Sequence, residues 1–153
     1  MKQPAMLTEV LSDLVKINHD RVQGYEKAIE ATNDADMQAL FQGMIDESKH
    51  YAAQLNEQLV AMGERTVSAI TAPGKLFKTW MDMKCNFMGY DRHAILSCCE
   101  YGEDAAQAVY SMVLKSDTPM PYYLRELIGG QQAALKDSHD TIKTYRDVEN
   151  VSH

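Results

Sequence analysis

Apolar residues recur in alternating steps of three and four along four long stretches of this chain, the spacing that lines one face of an α-helix. The first stretch puts Leu7, Leu11, Leu14, Val22, Tyr25 and Ile29 on one stripe. A break at Thr32-Asn33-Asp34 follows, where Asp34 or Asp36 is suited to cap the next helix. The second stretch carries Met37, Phe41, Met44, Ala52, Leu55 and Leu59 and ends at Gly63. The third runs from Asp91, read as an N-cap, through Ile95, Cys98, Gly102, Ala106, Val109 and Val113. The fourth starts after Pro121 and carries Leu124, Ile128, Leu135, Ile142 and Tyr145. The pattern predicts four amphipathic helices of roughly 25 residues, each about 37 Å long.

The connections decide the topology. Helices one and two, and three and four, are joined by short breaks that force antiparallel neighbours. Helices two and three are separated by Glu64 to Tyr90, within which Gly74 to Met88 reads as a short helix carrying Leu76, Phe77, Trp80, Met81, Met83 and Phe87. A connection of that length can deliver helix three to the opposite end of the bundle. One long crossover is the ferritin-like arrangement, as opposed to simple up-down-up-down.

Composition narrows the setting. The chain has 153 residues, 45% of them hydrophobic, with 22 acids against 15 Lys and Arg and a formal net charge of -7. One domain of this length buries a substantial core. The acidic balance argues against a nucleic-acid surface, which needs clustered Lys and Arg. A secretory leader and a membrane span are both unexpected, because neither a basic start followed by an apolar run nor a long apolar segment occurs. Three cysteines, Cys85, Cys98 and Cys99, make no disulfide framework and fit a reducing cytoplasm. Cys98 and Cys99 read as small core residues, and the ten methionines as core filler. Tyr122, Tyr123, Trp80 and Phe87 are expected to pack the crossover onto the bundle, or to face a partner.

Polar residues intrude on the inner faces. At about 100° per residue, Asn18 falls at the centre of the first stripe with Arg21 beside it, and Ser48 at the centre of the second. Gln131, Gln132 and His139 all lie within about 60° of the fourth stripe's centre. Gly102, on the third stripe, leaves space beside them. Polar groups in a bundle core cost free energy unless they find hydrogen-bond partners. Either these residues satisfy one another in a layer that fixes helix register, or they line a hydrated or metal-binding pocket.

Glu47-x-x-His50 has the spacing by which di-iron bundles project a carboxylate and an imidazole from one helix. Carboxylates on other helices are Glu26 in the first and Glu100 or Glu103 in the third. His50, however, points about 160° away from its stripe. Glu100 points outward, Glu26 and Glu103 sit at stripe edges, and the residue three before His139 is Lys136, so no second such pair exists. No phosphate loop, nucleophile elbow, Cys-x-x-Cys or zincin motif occurs.

The chain carries the blocks Ile17-Asn18-His19-Asp20-Arg21, Gly24-Tyr25-Glu26-Lys27-Ala28, Glu47-Ser48 and Trp80-Met81-Asp82. Further along are Asp91-Arg92-His93-Ala94-Ile95-Leu96, Cys99-Glu100-Tyr101-Gly102-Glu103-Asp104-Ala105, Ser138-His139-Asp140 and Arg146-Asp147. Together these blocks resemble a bacterial family of ferritin-like four-helix-bundle proteins catalogued as a domain of unknown function. The resemblance implies the fold and brings no established activity. Glu47, Glu100, Glu103 and His139 fall inside matching blocks, whereas His50 does not.

The expectation is an all-α, ferritin-like four-helix bundle in the cytoplasm, with one long helix-containing crossover between helices two and three. Residues 1–5 are read as a flexible tail and 6–150 as a single domain. The expected role is non-catalytic, in homo-oligomeric assembly or binding of a protein partner, tied to stress or metal physiology by analogy of fold alone. Asn18, Arg21, Ser48, Gln131, Gln132 and His139 form its polar core layer. The rival is a di-iron-type oxidoreductase or iron-handling protein, holding iron or another divalent metal with Glu26, Glu47, Glu100, Glu103 and His139. A third reading, a haem or small apolar ligand between the helices, has only Met and His composition behind it.

Overall fold

In a computed structural model, residues 2–67 and 91–151 are described, with side chains for 6–67 and 91–148. Four helices make up this part, α1 (Lys2–Ala31), α2 (Ala35–Ala61), α3 (Arg92–Lys115) and α4 (Tyr122–Val151), and no strand occurs among the described residues. The expected short helix at 74–88, with Trp80 and Phe87, lies outside them. Helix α1 begins at Lys2, within the stretch expected to be a tail. Pro4 is no obstacle there, because the first turn of a helix has no use for its missing N–H. No helix among the described residues is long and apolar enough to cross a membrane.

Local chemistry sets the helix ends. Asp34, not Asp36, caps α2, its carboxylate accepting from the backbone N–H of Asp36 and Met37 at 2.9 and 3.3 Å. The same carboxylate pairs with Arg92 at the start of α3. Asp91 caps α3. Helix α2 ends in a Schellman turn: Gly63 takes φ +83, its N–H donates to Val60 O, and Glu64 N–H reaches back to Leu59 O. Beyond it Asn56 holds the backbone of Val67 from both sides, accepting at 2.8 Å and donating at 3.1 Å.

Contacts between helices give their directions. Asn18 meets Tyr110 and Arg21 meets Glu103, so α1 and α3 run antiparallel. Glu47 meets Ser138 and Gln54 meets Gln131, so α2 and α4 do too. With short links inside each hairpin, α2 and α3 are parallel, and the end of one lies opposite the start of the other.

The apolar core comes in two pieces. One gathers Leu11, Leu14, Leu55, Leu59, Val113, Leu124 and Leu135. The other gathers Tyr25, Met37, Phe41, Ile45, Ile95, Cys99 and Ile142 towards the opposite end. Between them, at mid-height on all four helices, lies a polar layer.

Candidate functional site

Arg21 is the hub of that layer. Its side chain is only 1% exposed and touches α2 and α3 together. Nε and Nη2 both donate to Glu103 Oε2, at 2.9 and 2.8 Å, and Nη2 also reaches Glu47 Oε1 at 2.9 Å. Nη1 donates to Ser48 Oγ at 2.8 Å and to the Met44 carbonyl at 3.2 Å. The guanidinium also lies 5.4 Å from the centre of the Tyr25 ring. Burial alone would push its pKa down, but Glu103, Tyr25 and Glu47 outweigh this and hold it above its ordinary value.

An arginine has donors and no acceptor, and this orders everything downstream. Ser48 Oγ accepts from Arg21, so its own proton goes to Asn18 Oδ1 at 2.9 Å. That orients the Asn18 amide, whose nitrogen donates to Leu14 O and to the Tyr110 hydroxyl, each at 2.9 Å. Tyr110 in turn donates to Gln131 Oε1 at 2.6 Å, and Gln131 Nε2 to Gln54 Oε1 at 3.0 Å. The result is a one-way chain of hydrogen bonds from the guanidinium to the α2–α4 seam, in which each bond polarises the next. Burial raises the Tyr110 hydroxyl pKa above its ordinary value, against the opposing pull of Asn18 and Arg21.

The carboxylates differ. Glu103 is fully buried; Oε2 takes both Arg21 nitrogens and the Tyr25 hydroxyl, while Oε1 has no hydrogen-bond partner. Burial first, then Glu103, raises the pKa of the Tyr25 hydroxyl and of the Cys99 thiol. Glu47 is 20% exposed and accepts from Ser138 at 2.8 Å and Tyr51 at 3.1 Å. Burial and Glu47 together push Tyr51 up to about 12.

A second cluster occupies the α3–α4 seam. His139 Nε2 lies 2.7 Å from Asp104 and 3.7 Å from Glu100, and Nδ1 lies 3.2 Å from Asp140. Arg146 pairs with Glu100 and Asp147. The exposed Asp140 carboxyl is held below its ordinary value by hydrogen bonds from His139 and Lys136.

The expected residues are thus divided. Asn18, Arg21, Ser48 and Gln131 are buried in the central layer. Gln132 and His139 instead lie partly buried on the α3–α4 seam, where Gln132 donates to Ser111, because their angles on α4 direct them to α3. Glu103, placed by the sequence at a stripe edge, is fully buried. Glu26 is exposed beside a surface groove shared with Ile29, Gln42 and Lys49, and His50 is exposed. The five carboxylate and histidine positions do not converge, and among the described residues no group of three His, Cys, Asp or Glu is placed to hold a metal. They do not fit a di-iron centre: Glu47 and Glu103 meet around Arg21, which fills the space between them, while Glu100 and His139 meet apart from them on the α3–α4 seam.

Sequence reasoning missed Tyr25, Tyr51, Gln54, Tyr110 and Ser138 as members of the layer. On the sequence alone Tyr25 reads as an apolar stripe residue, Ser138 stands out only within the Ser138-His139-Asp140 block, and Tyr51, Gln54 and Tyr110 give no signal of their own. Cys98 is disulfide-bonded and half-buried, unlike the free, buried Cys99, which corrects the expectation of no disulfide; its partner lies outside the described residues. Tyr122 and Tyr123 are 75% and 61% exposed, not packed as one reading had them.

A family model described as Domain of unknown function (DUF2383) matches residues 6–116, and the chain belongs to that family. No curated protein matches it.

Proposed function

We propose that this member of the DUF2383 family is a ferritin-like bundle that works through assembly or partner binding, with its interior closed by a guanidinium instead of opened around a redox metal. One observation carries the reading: Arg21 lies between Glu47 and Glu103 and takes an oxygen of each on a single nitrogen. A bridging metal would need those oxygens for itself. The rival di-iron reading needs Glu26 and His139 at the same point, and they lie on an outer groove and on the α3–α4 seam.

Surface composition supports the assembly half of the reading. Tyr122 and Tyr123 stand exposed at the start of α4, and Tyr101 and Met112, eleven residues apart and hence on one side of α3, are 60% and 49% exposed. Tyrosine offers large contact area at low entropic cost and is enriched where interfaces gain most.

Two measurements test this. Sedimentation velocity over a range of concentrations should reveal a homo-oligomer that Tyr122→Ser/Tyr123→Ser weakens while helicity is unchanged; a strictly monomeric wild type would refute assembly. Elemental mass spectrometry after anaerobic loading with iron(II) and desalting should find no stoichiometric metal in wild type or in His139→Ala. Stoichiometric iron in the wild type that Glu47→Ala removes would reverse the closed-interior reading.

A further inference from the structure

We propose that the groove between α1 and the turn after α2, well apart from the closed interior, is a binding site for a small molecule carrying a phosphomonoester. The groove has a volume of about 490 Å³, within the range of small-molecule sites. Thr8, Ser12 and Lys16 form one wall. Steps of four keep them on a single side of α1, over two turns and about 12 Å. Residues 63–67 form the other wall.

That second wall is fixed by its own hydrogen bonds. Gly63 makes the Schellman turn, Asn56 holds both the N–H and the carbonyl of Val67, and His19 Nε2 lies 3.2 Å from the same carbonyl. These bonds also consume acceptors: the Val67 carbonyl is taken, and so are those of Gln58, Leu59 and Val60 at the end of α2. Donors are left over. Among the described residues Lys16 and Arg65 make no ion pair, and the Ser12 and Thr66 hydroxyls make no hydrogen bond. Lys16 is half-buried, where an ammonium without a partner is costly.

The ligand class follows from that imbalance. A lining with spare donors and occupied acceptors takes an acceptor-rich anion. Lys16 and Arg65 outnumber the one carboxylate of the lining, Glu64, so the groove is locally positive in a chain of net charge -7. Asp13 does not cancel Lys16: burial raises its pKa against the pull of that lysine, and the two form no ion pair. Two unpaired cations suit a compact dianion. A phosphomonoester carries about 1.5–2 negative charges at pH 7 on three acceptor oxygens, and arginine's fork and lysine's point charge both bind phosphate. One phosphate fills only part of the groove, which leaves room for the organic part of the ester.

The test titrates the full chain with two esters, AMP and glycerol 3-phosphate, and with inorganic phosphate and succinate, read by calorimetry and amide chemical shifts. At least one ester should bind once per chain and shift the amides of Ser12, Lys16, Arg65 and Thr66. Lys16→Ala and Arg65→Ala should each weaken that binding by about ten-fold or more with helicity unchanged, the loss expected for one charged hydrogen bond. Arg65→Lys, which keeps the charge, should lose less. Lys49→Ala, in the other surface groove, should leave binding unaltered. Inorganic phosphate and succinate should bind about ten-fold more weakly than the ester. Absence of saturable binding by either ester would overturn the inference. So would binding indifferent to both Lys16→Ala and Arg65→Ala, shifts confined to other amides, succinate matching the better ester, or inorganic phosphate saturating a site that excludes both.

Discussion

Replacing Arg21 and Glu103 singly and together separates what their pairing contributes from what each side chain fills. Arg21→Met keeps most of the volume but strips Glu103 of both its guanidinium bonds while it stays fully buried. Removing one partner of a buried ion pair costs about 3–5 kcal/mol, because the survivor remains charged and without its counterion. Glu103→Leu should cost less, about 3 kcal/mol, since Arg21 retains Glu47, Ser48 and the Met44 carbonyl. The double variant leaves Glu47 with Ser138 and Tyr51 and leaves Ser48 bonded to Asn18, so it should lose no more than about 2 kcal/mol. Urea denaturation followed by circular dichroism would then return a coupling energy of about 3 kcal/mol or more. Single losses below about 1 kcal/mol, or a double loss equal to the two singles together, would refute the idea that this pair ties the helices together. A reduced urea slope in Arg21→Met would further show that the apolar halves above and below the layer had begun to unfold separately.

Tyr110→Phe removes a hydroxyl that accepts from Asn18 and donates to Gln131; it should cost about 1–3 kcal/mol in the same assay, and a neutral result would mean the hydrogen-bond chain ends before α4. Gly130 is an exposed residue inside α4 with open space where a Cβ would stand, so Gly130→Ala should stabilise by about 0.5–1 kcal/mol, and destabilisation would reveal a need for bare backbone there. Alkaline stability should fall in a set order. Burial raises Cys99 above 9.0 and Tyr25, Tyr51 and Tyr110 above 10.0, Tyr51 to about 12. The unfolded chain therefore loses these protons first. Their stabilising contribution is whole below pH 9.0 and drains away as pH rises through the folded values. Tyrosinate absorbance tracked with helicity should show these three tyrosines ionising together with unfolding; full ionisation of all eight while helicity persists would contradict their burial.

The hydrophobic period alone located all four helices, and it did so because each stripe is long enough to average over its polar exceptions. It also identified Asn18 and Ser48, since both fall at stripe centres, where a polar side chain has nowhere to go but inward. The third helix was harder. Its apolar stripe in the sequence runs through Cys98, Gly102 and Val109, whereas the buried face also takes in Leu96, Cys99, Glu103 and Tyr110, a rotation of about 40°. Small and ambivalent residues cause this: Gly, Ala and Cys contribute little to the direction of a stripe, and α3 is rich in them. That one rotation turns Glu103 from an edge residue into a buried anchor and leaves Glu100 to Arg146 and His139 on the seam.

The remaining gap was one of chemistry, not of angle. Metal ligands are read from carboxylates and histidines, so in the sequence Arg21 stands only as one polar residue among several. In a bundle interior an arginine is a cation with a fixed fork of donors, so it competes with a metal for the same carboxylates. Its position on α1, one turn after Asn18 and one turn before Tyr25, sets it facing Glu47 and Glu103 at mid-height. Every donor direction from Ser48 to Gln54 then follows from that single charge. A buried arginine at stripe level therefore argues against a metal at that level more strongly than any missing histidine.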